Sequence, residues 1–374
     1  MTEDDLGSLF IEDAAIRVLV VDDSVLYRKL LSQVITGIDK RVEIHVAANG
    51  KIALQKTEQL NPDLITLDLE MPHMGGLEFL EILNAKKLNP RVIVISGHTD
   101  EAMSTAATSI ELGALDVIAK PQVKTTVDAF NMLKEALEPI INSIGASLSN
   151  NVCSSEDVRL MASEVKNVSR LSISKKSFAP MKRPHIIALA ASTGGPAALI
   201  KLLGAIPCDF PVPLLVTVQL PIGFSTHLAS SLDRKSSIRV VEGIHGDILC
   251  PGTAYIATAG KQMGISQHKH GDEVKLSITD DPPENYCKPS ADYLFRSVAE
   301  IYGSRALGVI LTGMGYDGTQ GLIVLKRRGG YVIAQDKKSC VVFGMPGSAI
   351  NAGVVDLVIP LDRINESIQS MLGI

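Results

Sequence analysis

Ala190-Ala191-Ser192-Thr193-Gly194-Gly195-Pro196 stands between an apolar run, residues 186–189, and a run with helical spacing, residues 197–203. A strand that stops at a Gly-rich turn and passes straight into a helix is the building unit of an α/β fold. The turn puts Ser192 at the carboxyl end of a strand, beside a helix N-terminus whose N–H groups favour negative charge. Its logic is that of a hydrolase nucleophile turn, although the spacing is not G-x-S-x-G. On these residues alone, a nucleophile turn competes evenly with a phosphate-binding or purely structural one.

The alternation extends towards the N-terminus. Apolar strand-like runs cover residues 16–21, 42–46, 64–67, 92–95 and 114–119, and runs with helical spacing follow each of them. Five βα units predict a parallel sheet, with ligands bound outside the carboxyl ends of its strands. Asp22 and Asp23 follow the first run, Asp68 the third, Ser96 the fourth and Lys120 the fifth. Carboxylates converging at one edge predict a divalent-cation site of hard oxygen ligands suited to Mg²⁺. Lys120 adds a positive charge for an incoming phosphoryl group.

Length and composition set the frame. A chain of 374 residues predicts two domains. A net charge of −5 argues against a nucleic-acid partner, and no apolar run approaches the length of a membrane span, so neither nucleic acid nor membrane insertion is expected. Residues 1–15 are acidic, without a basic, apolar leader, and the five cysteines form no C-x-x-C pair; both fit a reducing cytoplasm. Polar residues dominate 146–183, which reads as a linker between domains at 15–145 and 184–374. Within it Val158, Met161, Val165 and Val168 recur at helical spacing and predict a linker helix.

Past the linker, α/β alternation resumes, with strand-like runs at 186–190, 214–218, 240–243, 254–257, 275–279, 306–311 and 331–334. The 306–311 run ends in Thr312-Gly313-Met314-Gly315-Tyr316-Asp317-Gly318. A serine at one strand end and an aspartate at a later one suit a hydrolytic site, with a histidine expected between them as general base.

Val-Val-Asp-Asp-Ser (20–24), Leu-Asp-Leu-Glu-Met-Pro (67–72), Ser96 and Ala-Lys-Pro (119–121) resemble the receiver domain of two-component response regulators. The resemblance implies that Asp68 accepts a phosphoryl group from a histidine kinase. It implies Mg²⁺ held by Asp23, Asp68 and the Glu70 carbonyl, with Asp22 acting through water. Ser96 and Lys120 would contact the phosphoryl oxygens, and the Lys120–Pro121 bond would be cis. The C-terminal half resembles the catalytic domain of the chemotaxis response regulator protein-glutamate methylesterases, the CheB family. The matching stretches are Ala191–Pro196, Pro251-Gly252-Thr253-Ala254-Tyr255-Ile256-Ala257, Pro289-Ser290-Ala291-Asp292, 311–318 and Val342-Phe343-Gly344-Met345-Pro346. This implies a receiver, a linker and a doubly wound α/β methylesterase domain. It also implies phosphorylation-regulated hydrolysis of glutamate methyl esters on the cytoplasmic helices of methyl-accepting chemoreceptors, with deamidation of glutamines there. Ser192 and Asp317 would be catalytic.

One position departs from the pattern. The family writes its histidine stretch T-Q-H-M-P-x-G-F; here it reads Thr217-Val218-Gln219-Leu220-Pro221-Ile222-Gly223-Phe224, which puts Gln219 in the histidine slot. Gln262 and Cys287 stand where two further family histidines are common. A glutamine amide orients a hydroxyl but takes up no proton near neutral pH. His227 is the nearest surrogate base in sequence; His245 is a weaker one, and His268 and His270 belong to a solvent loop. Two readings follow: a receptor methylesterase that is slow or has a rearranged base, or a catalytically impaired homologue acting as a phosphorylation-dependent binding switch.

Overall fold

The computed structural model describes residues 15–148, 182–267 and 273–374. The predicted linker helix, His268 and His270 lie outside these residues. The first domain alternates β1 (Ile16–Val21), α1 (Val25–Ile38), β2 (Val42–Ala47), α2 (Gly50–Leu60), β3 (Leu64–Leu67), α3 (Gly76–Ala85), β4 (Arg91–Ser96), α4 (Asp100–Glu111), β5 (Asp116–Ala119) and α5 (Thr126–Leu148). Its sheet has the order β2-β1-β3-β4-β5, and every pairing is parallel. Helices cover both faces, which is why β1, Arg17 apart, and β3 are buried without alternation. Side-chain caps start several helices: Asn49 accepts from Ile52 N at 3.0 Å before α2, and Thr99 from Ala102 N at 3.1 Å before α4. Helix α5 runs three residues past 145, into the stretch read as linker.

The second domain contributes β6 (Ile186–Ala191), α6 (Gly195–Gly204), β7 (Leu214–Val218), α7 (Phe224–Lys235), β8 (Arg239–Glu242), β9 (Thr253–Ile256), β10 (Gln262–Gln267), β11 (Val274–Thr279), α8 (Ala291–Tyr302), β12 (Ala306–Ile310), α9 (Thr319–Arg327), β13 (Tyr331–Gln335), α10 (Met345–Asn351), β14 (Leu357–Ile359) and α11 (Leu361–Leu372). Seven parallel strands take the order β14-β13-β12-β6-β7-β9-β8. β6 therefore lies between β12 and β7, and the loops that follow these three strands meet over the middle of the sheet. The 275–279 run does not join that sheet: β10 and β11 form an antiparallel hairpin of their own.

Two backbone features bear on the site. Lys288–Pro289 is the cis peptide among the described residues, so the expected cis bond at Lys120–Pro121 is not found; the Lys120 carbonyl pairs with His98 Nε2 at 2.6 Å. Glu284 and Cys287 exchange backbone hydrogen bonds of 3.1 and 2.7 Å around a two-residue turn. Both central residues, Asn285 (φ 50°) and Tyr286 (φ 62°), are left-handed, as a type I′ turn requires. Asn tolerates that region, whereas a tyrosine there costs about 1–2 kcal/mol.

The domains are docked through α4, β5 and α5 of the first. One apolar cluster continues across the junction, with Met103, Ala106 and Ile110 of α4 in the same core as Leu228 and Leu232 of α7. Polar contacts surround it. Glu111 accepts from Ser231 Oγ at 2.7 Å and pairs with Arg234, Asp100 pairs with His227 at 2.9 Å, and Ser143 Oγ donates to the Val341 carbonyl at 2.6 Å.

Candidate functional site

The acidic edge of the first sheet assembles as the residues predict. One ligand oxygen each from Asp22, Asp23 and Asp68 falls within 4.8 Å of the others. Lys120 Nζ donates to Asp68 Oδ2 at 2.7 Å and lies 3.3 Å from Asp22 Oδ2. Asp22 is buried; its Oδ1 accepts from Ser24 N at 2.8 Å, but its Oδ2 has no hydrogen-bond partner. Burial, seconded by the Asp68 charge, pushes the Asp22 carboxyl above its usual range, although Lys120 opposes the rise. Burial would lower Lys120, but Asp68 and Asp22 outweigh it and the ammonium is held more firmly. Three carboxylates gathered at one strand edge, one of them buried and neutralised only through the lysine that it shares with Asp68, suit a divalent cation. Asp23, Asp68, Glu70, Ser96 and Lys120 line a cleft of about 300 Å³ over the cluster. Ser96 Oγ donates to the Ala102 carbonyl at 3.2 Å in this arrangement.

On the second sheet, Ser192 follows β6 and is held by its neighbour strand, its N–H donating to the Thr312 carbonyl at 3.0 Å. Thr312 Oγ1 donates to the Thr193 carbonyl at 2.9 Å, so the loop after β12 grips the serine turn twice. The grip is close enough that a Cβ on Gly313 would run into Ser192 and Met345. Gly194 closes the turn at φ 76°, where Gly avoids the steric cost other residues pay.

Ser192 Oγ donates to Gln219 Oε1 at 2.9 Å. The other end of the same amide, Nε2, donates to Cys287 Sγ at 2.7 Å. Cys287 in turn lies beside Asp317: burial first, then the Asp317 charge, push its thiol up to about 12. It is therefore a neutral thiol near neutral pH, not a nucleophilic thiolate. The line from the serine hydroxyl to the carboxylate runs Ser192, Gln219, Cys287, Asp317. Asp317 is fully engaged otherwise. It accepts from Ser290 Oγ (2.7 Å), Ala291 N (2.8 Å), Asp292 N (3.2 Å) and Gly318 N (3.0 Å) and so caps the N-terminus of α8. Gln262 completes that wall by accepting from Ser290 N at 2.8 Å.

His227 is not brought into this line. It lies on the face of α7 turned to α4, where Asp100 takes its Nε2, and the surrogate-base expectation is corrected accordingly. His245 pairs with the Ile278 carbonyl at 3.1 Å. Sequence reasoning missed Cys287 and Ser290 as members of the Ser192–Asp317 line; the family-histidine slot that Cys287 occupies and the Pro289-Ser290-Ala291-Asp292 motif carried the signals. It also missed Asp116. This residue opens β5 of the first domain, yet its Oδ2 accepts the Gly194 N–H of the serine turn at 2.8 Å. Burial pushes the Asp116 carboxyl up to about 7 against the pull of that N–H. With the domains docked, Ser192 is only 7% exposed.

A receiver-domain family model matches residues 18–130 and a CheB methylesterase model residues 187–368. A protein-glutamate methylesterase/protein-glutamine glutaminase of Desulfotalea psychrophila is 44% identical over 361 residues, covering 94% of this chain and 97% of that protein. The chain belongs to the CheB methylesterase family. A CheB relative of Methanosarcina acetivorans, named protein-glutamate methylesterase/protein-glutamine glutaminase 2, is 38% identical over 360 residues, 96% of this chain and 99% of its own. The crystal structure of the Thermotoga maritima CheB methylesterase catalytic domain is 38% identical and covers 50% of this chain and 98% of its own, with a TM-score of 0.49. Both halves expected from the motifs are therefore present: a five-stranded receiver and a seven-stranded methylesterase domain.

Proposed function

We propose that this CheB chain is a phosphorylation-regulated hydrolase of glutamate methyl esters, and of glutamine side-chain amides, on the cytoplasmic helices of methyl-accepting chemoreceptors. The observation that carries it is the Ser192–Gln219 hydrogen bond at the carboxyl edge of the second sheet, within a full-length match to proteins named for that activity. Ser192 is the nucleophile. Gln219 orients its hydroxyl towards one side and does not accept the proton, so the proton leaves to water and turnover is slow. Methanol release from methylated receptor, measured beside Ser192→Ala, tests the reading. The variant is expected to lose the activity over background; equal rates in the two proteins overturn it. Gln219 also favours a second reading, a binding switch, which predicts receptor binding without methanol release.

The receiver supplies control. Asp68 accepts the phosphoryl group from a histidine kinase, and Asp22, Asp23, Asp68 and the Glu70 carbonyl are the groups that would hold Mg²⁺. When bound, Mg²⁺ neutralises charge on the phosphoryl oxygens. Lys120, already on Asp68, and Ser96 contact those oxygens. None of the described helices is long and apolar enough to cross a membrane.

Docking of the two domains depends on pH through Asp116. In the docked arrangement burial holds its carboxyl near 7, above the ordinary 3.8, and separation of the domains removes the Gly194 side of that burial. Docking therefore takes up a proton between those values, is strongest at low pH, weakens as pH rises towards 7 and levels off above it. Asp116→Asn keeps an acceptor for the Gly194 N–H without a charge to bury. It is expected to abolish this part of the pH dependence and to tighten docking at pH 7.5, read by small-angle scattering and by hydrogen exchange at Gly194.

A further inference from the structure

Tyr286 combines two features that a structural role does not explain. Its side chain is 100% exposed with the receiver docked, so it contributes no packing. Its backbone is left-handed, at φ 62°, in the central position of the Glu284–Cys287 turn where glycine fits without strain. Strained positions of this kind persist at ligand clamps and active sites. The turn is also rigidly placed: Asn285 Nδ2 donates to Asp292 Oδ2 at 2.8 Å, and the next residue, Cys287, accepts from Gln219. The neighbouring loops repeat the pattern. Ile222, three residues after Gln219, and Met314 and Tyr316, just before Asp317, are also large, apolar and exposed. The loops that deliver Gln219, Cys287 and Asp317 to the line thus each display exposed apolar surface.

We propose that Tyr286, with this rim, recognises an α-helical protein substrate at the Ser192 site, its ring packing on apolar side chains that flank the reacting glutamate. An aromatic on a rigid turn gives a large contact at little entropic cost. A helix carrying an ester on one turn presents neighbours at i±3 and i±4 on the same face, within reach of a rim that surrounds the reaction centre. The inference rests on the receptor-hydrolase reading and names its specificity residue.

The test uses the full-length chain with Mg²⁺ and acetyl phosphate. Tyr286→Gly and Tyr286→Phe are compared with the unaltered protein by calorimetric binding to a methylated receptor cytoplasmic fragment, and by hydrolysis of p-nitrophenyl acetate, an ester too small to span the rim. Tyr286→Gly is expected to raise the melting temperature, weaken fragment binding about tenfold and leave small-ester hydrolysis unchanged, while Tyr286→Phe binds as before. A rise in melting temperature separates the loss of binding from damage to the fold. Fragment binding by Tyr286→Gly within about twofold of the unaltered protein overturns the inference alone. Failure of the unaltered protein to bind the fragment overturns the receptor reading and the inference together.

Discussion

Gln219→His is expected to raise methanol release from methylated receptor by on the order of 10²–10³-fold, the lower part of what a positioned general base supplies. The reason lies in the proton of Ser192. As the oxygen attacks a carbonyl it must shed that proton, and the amide oxygen that now receives its hydrogen bond at 2.9 Å cannot accept it. An imidazole in the same place can. The gain stays below what a complete triad supplies, because Asp317 already serves four donors and Cys287 stands between it and position 219. The variant also acquires a pH signature: its rate rises through the range near 6.5 where imidazole loses its proton. A variant that folds, docks and shows neither the gain nor the pH signature removes Ser192 from the chemistry.

The second large effect belongs to the receiver. Asp68→Asn is expected to abolish labelling by acetyl phosphate in the presence of Mg²⁺ and to hold the esterase at its unstimulated rate. The amide removes the nucleophilic oxygen, one of three carboxylates of the acidic cluster and the charge that anchors Lys120. Labelling that survives the substitution places the acceptor elsewhere.

Much of this was legible in the chain because it depends on local order. Asp22, Asp23, Asp68, Ser96 and Lys120 could be placed together from the sequence, since strand ends in a parallel sheet share one edge. Ser192 and Asp317 were legible for the same reason. Cys287 was not: its part depends on a turn 68 residues from Gln219 that folds back over the sheet. His227 was misplaced because its helix position says only that it follows Gln219, while the face it occupies is set by α4 of the other domain. Asp116 could be read only as part of a strand. Its partner is an N–H 78 residues away, and no periodicity encodes a contact between domains.

That strand has a consequence of its own. β5 carries Asp116 at its start, and Lys120 directly follows its end, so the residue holding the serine turn and the residue holding Asp68 are about 13 Å apart along one segment of backbone. It is also the last strand of its sheet, bonded to β4 alone. A segment anchored on one flank can slide or tilt without tearing a second ladder. The distance from signal to output in this protein is therefore the length of a short lever laddered on one flank and docked on the other, and its two handles are a lysine and an aspartate.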